Sequence, residues 1–268
     1  MGTVLLAIAI VTTSIALSVG GLWLTRRLVS PAVLQRHHDV AGFLIAIVGL
    51  IYGVLQAFVV FVVWTGYEDA KSAVEIEANC AADLYHISYG LSPALQTDIR
   101  ADLRAYVNDV VTYEWPAMSA GKSSPEADRS TDRLWFRFST MNPKTPRDTA
   151  LYQEAISRIN EMGNSRRQRL LASHDGVPAV MWFILIFGGV ATVAFTYFFG
   201  AENQKAQALM TALLTAVIAL VLFLIAALDY PFTGDVRIRP EAFLRIGDRF
   251  NTIDTNATES LSELRNKR

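Results

Sequence analysis

The chain has 268 residues, of which 52% are hydrophobic and 18% charged, and its formal net charge is −1. This balance excludes a soluble globular enzyme and gives no electrostatic basis for nucleic-acid binding. The single cysteine, Cys80, also excludes an intrachain disulfide and a cysteine-based zinc site.

Four stretches without Asp, Glu, Lys or Arg dominate the sequence. They cover approximately residues 4–24, 40–64, 177–199 and 206–228. Each has about the 20 residues that a helix needs to cross the hydrocarbon core of a bilayer. No basic residue precedes the first stretch, and Arg26 and Arg27 follow it, which favours a retained span over a cleaved signal. The fold class is therefore predicted as an all-α integral membrane protein, with four transmembrane helices in two hairpins and a helical soluble insert between them.

The positions of the spans, with prolines, glycines and charges between them, predict the domain organisation. We expect a first transmembrane hairpin over 1–64, a helical extramembrane insert over 65–176, a second hairpin over 177–228 and a polar C-terminal tail over 229–268.

The insert carries apolar residues at helical spacing. Because no strong helix breaker separates the second span from the first apolar stripe, we expect one helix from about Asp39 to Gly90, roughly 75 Å long. Glu75 and Glu77 flank this stripe and are predicted to face water. Residues 117–131 predict a loop, and residues 251–268 predict a frayed end.

The second span has a face of small residues, which would let another helix approach closely. That helix belongs either to the same subunit or to another one, and the sequence leaves both alternatives open. The face comprises Gly42, Ala46, Gly49, Gly53 and Ala57.

A second face of the same span is apolar and aromatic. Contributed by several subunits, it would form a hydrophobic constriction that gates a pore; alternatively, it contacts lipid or the protein core. The absence of ionisable residues from the spans argues against an ion-coupled pump or carrier. The pore-lining candidates are Phe43, Ile47, Leu50, Val54, Phe58 and Phe61.

Three arginines, Arg166, Arg167 and Arg169, lie just before the third span. They are candidates for binding lipid headgroups or permeant anions, and the alternative is that they are ordinary charges at the bilayer surface. No nucleotide-binding, hydrolase or metalloprotease motif occurs in the sequence, so we expect no catalytic residues, no metal site and no cofactor.

The basic residues give a conflicting prediction of topology. Arg26, Arg27 and Arg36 favour a cytoplasmic location for the loop between the first two spans. A count of the basic residues within about 20 residues of all span ends favours the opposite side.

Several short motifs together resemble the bestrophin-like domain family of bacterial membrane proteins. The family is named for its similarity to bestrophins, which are pentameric anion channels with four membrane helices and a large cytosolic helical region. In bestrophins, apolar residues of the second span narrow the pore. The motifs are Asp39 to Phe43, Gly49 to Gly53, Trp64, Tyr106, Glu114 to Pro116, Arg166 to Leu170, Pro178 with Trp182, and Asp229 to Gly234.

The resemblance departs from bestrophins where those channels have an acidic calcium clasp after a Pro-Phe-Gly segment. Here Thr233 separates Phe232 from Gly234, and Asp235 is the one acid that follows closely. The resemblance therefore does not extend to calcium gating.

The first functional hypothesis is a homo-oligomeric, anion-permeable channel of the bacterial plasma (inner) membrane, with the second span lining the pore. Its partners would be copies of itself, membrane lipid and permeant ions. The resemblance to bestrophins implies an oligomer of five subunits. The resemblance implies that the N-terminus, insert and C-terminus are cytoplasmic. The alternative is a non-conducting scaffold or sensor whose insert docks a partner through an exposed apolar patch. A lipid-modifying enzyme is the third hypothesis, and no catalytic motif supports it.

Overall fold

The structure is a computed structural model that describes residues 2–29, 38–198 and 203–266. Arg36, which entered the topology argument, lies outside these residues. Within the described residues the secondary structure is helical, without a strand. The helices are α1 (Gly2–Leu28), α2 (His38–Ile87), α3 (Pro93–Asp109), α4 (Trp115–Met118), α5 (Pro125–Ser139), α6 (Pro146–His174), α7 (Ala179–Phe195), α8 (Gln204–Asp229) and α9 (Glu241–Asn266).

The helix predicted from about Asp39 to Gly90 is confirmed. α2 runs without interruption for 50 residues, from His38 to Ile87, and a 3₁₀ turn over Ser88–Gly90 follows it. At 1.5 Å per residue α2 is about 75 Å long. Pro93 then stands at the start of α3, where its missing N–H costs no hydrogen bond.

Among the described residues, four helices are long and apolar enough to cross a membrane. These segments are Gly2–Leu28, Gly42–Gly90, Ala179–Phe198 and Gln204–Asp229. α1 packs mainly along α8, and α7 contacts both of these helices. The grouping of the spans into two hairpins stays a prediction.

The chain forms two compact units. Unit 1 comprises Met1–Tyr67, Gly176–Tyr230 and Gly234–Val236. Unit 2 comprises Glu68–Asp175, Pro231–Thr233 and Arg237–Arg268.

The core of unit 1 joins α2 to α7 and α8. Tyr52 on α2 is buried against these helices, and its hydroxyl donates a hydrogen bond of 2.8 Å to the carbonyl of Leu185. Gln56, one turn later, donates to the Tyr52 hydroxyl at 3.1 Å. The polar side chain of Gln56 is thereby satisfied inside the subunit. The apolar residues of the neighbouring core cluster are Val59, Val63, Leu185, Ile225 and Leu228.

The prediction of a loop over residues 117–131 is wrong in its second half. α5 begins at Pro125 because Ser124 caps the helix, accepting hydrogen bonds from the N–H groups of Glu126 (3.2 Å) and Ala127 (3.5 Å). Leu134 and Phe138 then form the buried face of α5. A serine before a proline was the local signal for this helix.

The prediction of a frayed end from residue 251 is also wrong, because α9 extends to Asn266. Asp254 in α9 accepts hydrogen bonds from the hydroxyl of Tyr85 (2.6 Å) and from Nη1 of Arg100 (2.6 Å). The ring of Phe250, one turn earlier, stacks on Tyr85 with centroids 4.1 Å apart. These contacts fasten the middle of α9 to the rest of unit 2.

Candidate functional site

The predicted pore stripe lies on the face of α2 that has no role in the core of its own subunit. Tyr52, Val59 and Val63 form the packed face. The 3.6-residue period of an α-helix puts the stripe on the opposite face. Its side chains are 41% to 69% exposed in the single chain, and they are Phe43, Ile47, Leu50, Val54, Phe58 and Phe61.

The face of small residues on α2 is also largely open. A Cβ atom added at Gly49 or Gly53 would meet no atom of the described residues within 4 Å, apart from the backbone of α2 itself. Ala46 and Ala57 on the same face are exposed, and Gly42 is partly exposed. At Gly49 and Gly53 the space that the small residues leave is not filled by any helix in the part of the subunit that the structure describes.

A buried cluster of ion pairs forms the most polar part of unit 2. Arg169 of α6 is fully buried, and its Nε and Nη2 atoms each donate to Glu77 of α2 at 2.7 Å. Nη2 also donates to Glu114 at 2.6 Å, and Nη1 lies 2.7 Å from the sulfur of Met118. One guanidinium thus joins two buried carboxylates from different parts of the chain.

Arg166, one turn before Arg169, completes the cluster. It pairs with Glu114 and, at 2.6 Å, with Asp128 of α5. Arg166 and Arg169 therefore pair with carboxylates inside unit 2, and their binding of anions or lipid headgroups stays a prediction. Arg167 is exposed and donates to Asn164 on its own helix.

The expectation that Glu77 faces water is wrong. Glu77 is fully buried, and besides Arg169 it accepts a hydrogen bond from the Tyr106 hydroxyl. Glu75, two residues earlier, is partly exposed and pairs with Arg245 at 2.8 Å. Sequence reasoning missed the role of Glu77 because its partner lies 92 residues further along the chain.

A widened helical turn positions Glu114. α3 continues into a π-helical turn over Val110–Glu114, a feature that is frequent at functional sites. The turn brings Glu114 to the buried arginines. It also places the next residue, Trp115, beneath Arg169, and the centroid of the Trp115 ring lies 5.4 Å from the guanidinium carbon. Phe232 packs edge-on against Trp115 at 5.7 Å. Motifs that carry the resemblance thus meet in one cluster.

The arginines of the cluster favour the ionised form of Glu114. Burial alone would raise the pKa of Glu114, but the charges of Arg169 and Arg166 outweigh burial, so the pKa lies below its usual value. Burial and the neighbouring Glu77 raise the pKa of Tyr106 well above its usual value of 10.0. At neutral pH the Tyr106 hydroxyl is therefore neutral and donates its hydrogen bond to Glu77.

The lowered pKa of Glu114 predicts a pH dependence of stability. Because the folded chain holds this carboxylate ionised more strongly than the unfolded chain does, its contribution is complete above the ordinary glutamate pKa of about 4.3. The contribution is lost as the pH falls from there through the lower folded pKa. Midpoints of thermal unfolding between pH 7 and pH 3 should fall more steeply for the natural chain than for Glu114→Gln. Parallel curves would contradict this assignment.

The four apolar helices and the all-helical unit with its buried arginine–carboxylate cluster define a helical membrane protein. The Bestrophin-like domain family matches residues 12–243, and the chain belongs to this family. No curated protein matches the chain.

Solved structures of a bacterial bestrophin homologue from Klebsiella pneumoniae share the fold. One, obtained by Zn-SAD phasing, gives a TM-score of 0.67 at 10% identity and covers 89% of this chain and 96% of that chain. A point mutant of the same homologue gives a TM-score of 0.68 at 10% identity and covers 90% of this chain and 98% of that chain. A second point mutant gives a TM-score of 0.67 at 10% identity and covers 90% of this chain and 97% of that chain.

Proposed function

We propose that the chain is one subunit of a homo-oligomeric ion channel in the bacterial plasma membrane, with α2 lining the pore. The observation that carries the proposal is the exposed apolar stripe from Phe43 to Phe61, which lies opposite the packed face of α2. Membership of the Bestrophin-like family supports it. Anion permeability, five subunits and a cytoplasmic location of the termini and insert are proposed on the resemblance to bestrophins. The boundaries 1–64, 65–176, 177–228 and 229–268 remain part of the proposal.

The stripe suits a gate that works by dewetting. Copies of Phe58 and Phe61 around a symmetry axis would make a ring that excludes water until the ring widens. Residues 40–64 contain no charge, so an ion would pass without binding to an ionised side chain. The small face, open at Gly49 and Gly53, would let α2 helices from neighbouring subunits approach each other or another span.

Currents across planar bilayers test the proposal. The purified oligomer should give discrete currents, with reversal potentials in asymmetric KCl that report anion preference. Phe58→Ala should raise the open probability or the conductance severalfold, because the ring loses its bulk and wets more easily. Phe183→Ala is the matched control, since Phe183 and Phe58 are both 67% exposed but Phe183 lies on α7.

Silent bilayers containing verified, correctly oriented oligomers would overturn the conduction proposal and favour the scaffold or sensor hypothesis. Equal effects of Phe58→Ala and Phe183→Ala would leave conduction in place but remove α2 as the helix that lines the pore.

A further inference from the structure

The segment after the last apolar helix is held by hydrogen bonds to the start of α1 and to the middle of α2. The N–H of Thr3, in the first turn of α1, donates to Asp235 at 2.8 Å, and the N–H of Asp235 donates to the Thr3 hydroxyl at 3.2 Å. The hydroxyl of Tyr67 donates to the carbonyl of Val236 at 3.0 Å. Thr3 lies in the first turn of the apolar helix α1, and Tyr67 follows the uncharged stretch over residues 40–64. With these apolar stretches in a bilayer, Val236 would lie where they leave the hydrocarbon.

Two arginines follow directly in sequence. Arg237 and Arg239 are exposed, whereas Ile238 between them is buried, and its N–H donates to the carbonyl of Pro231 at 2.7 Å. The alternation places both arginine side chains away from the side on which Ile238 packs. Neither guanidinium has a hydrogen bond or an ion pair with any residue that the structure describes.

We propose that Arg237 and Arg239 bind the headgroup phosphate of an anionic phospholipid, such as phosphatidylglycerol. Arginine presents a planar fork of N–H donors that matches phosphate oxygens and keeps its charge at all relevant pH values. Basic residues beside a membrane surface favour anionic lipids by electrostatic attraction. The acids nearest in sequence are Asp235, which is engaged by Thr3, and Glu241, the exposed first residue of α9, which forms no ion pair with either arginine in the part of the chain that the structure describes. Of the arginines first considered as headgroup ligands, Arg166 and Arg169 are buried in ion pairs, so Arg237 and Arg239 fit this chemistry better.

Lipid titration of the detergent-solubilised full chain tests this site. Added phosphatidylglycerol should raise the midpoint of thermal unfolding, whereas phosphatidylcholine, whose headgroup has no net charge, should not. The double variant Arg237→Gln/Arg239→Gln should need about tenfold more phosphatidylglycerol for the same rise. The matched control is Lys144→Gln/Arg147→Gln, which removes two exposed charges near the start of α6 and should titrate like the natural chain.

The midpoint without lipid should be nearly equal in all three proteins, because the altered side chains are exposed and make no hydrogen bond or ion pair with the described residues. An unchanged titration of the Arg237/Arg239 variant would overturn the site, as would an equal loss in the control, which would show that net charge alone acts. Stabilisation by inorganic phosphate in place of lipid would overturn the assignment to a phospholipid. The assay measures lipid binding and no current, so its outcome neither supports nor contradicts the proposal that the protein is a channel.

Discussion

Replacing Arg169 with methionine is expected to destabilise unit 2 by about 3–5 kcal/mol, because it leaves buried carboxylates without their counter-charge. Glu77 loses both of its bonds to the guanidinium, and Glu114 keeps Arg166 alone. For a chain of this size the midpoint of thermal unfolding should fall by roughly 10 °C. Differential scanning calorimetry of the solubilised protein measures the change.

The matched control is Arg167→Met, two residues away on the same helix. Arg167 is exposed and bonds only Asn164 among the described residues, so the change should stay within about 0.5 kcal/mol. A double variant separates the loss of the ion-pair attraction from the cost of leaving a buried carboxylate without a counter-charge. Arg169→Met/Glu77→Gln removes the uncompensated carboxylate and should recover part of the loss, which a double-mutant cycle quantifies. Equal midpoints for Arg169→Met and Arg167→Met would show that the cluster does not stabilise the fold.

The sequence predicted the elements whose cause is local. Uncharged apolar runs identified the helices that are apolar enough to span a membrane, and the absence of a strong breaker identified α2 within a few residues of its ends. The start of α6 also has a local cause, since Thr145 before Pro146 forms a capping box with Asp148 at 3.1 Å in both directions.

The parts that sequence reasoning missed depend on distant partners. Glu77 looks like a surface carboxylate on its own helix, and only the position of α6 reveals Arg169 beside it. Likewise Asp254 in the tail is held by Arg100 and Tyr85, more than 150 residues earlier. The π turn that brings Glu114 inward contains one extra residue, and no periodic pattern in a single sequence indicates such a turn. Local patterns determine helices, whereas buried ion pairs require the tertiary arrangement.

Gly188→Ala is expected to disturb the packing of α2 on α7. A Cβ atom at Gly188 would lie 2.6 Å from Cδ2 and 2.7 Å from Cε2 of Tyr52. Tyr52 has little freedom to move, because it is buried and its hydroxyl bonds Leu185 and Gln56. Overpacking of this kind costs about 1–3 kcal/mol, so the midpoint of thermal unfolding should fall by several degrees.

Gly53→Ala is the control, and it also tests whether the small-residue face contacts a neighbouring subunit or lipid. The added methyl meets nothing within 4 Å in the single chain, so packing within the subunit should be unchanged. If the face packs against a neighbouring subunit, Gly53→Ala should shift the oligomer toward monomer at equal protein concentration, as measured by light scattering. Gly188→Ala should instead lower the unfolding midpoint of oligomer and dissociated subunit alike. An oligomer unaffected by Gly53→Ala and by the bulkier Gly53→Leu would assign that position to lipid, and α2 would then meet its copies through the stripe from Phe43 to Phe61 alone.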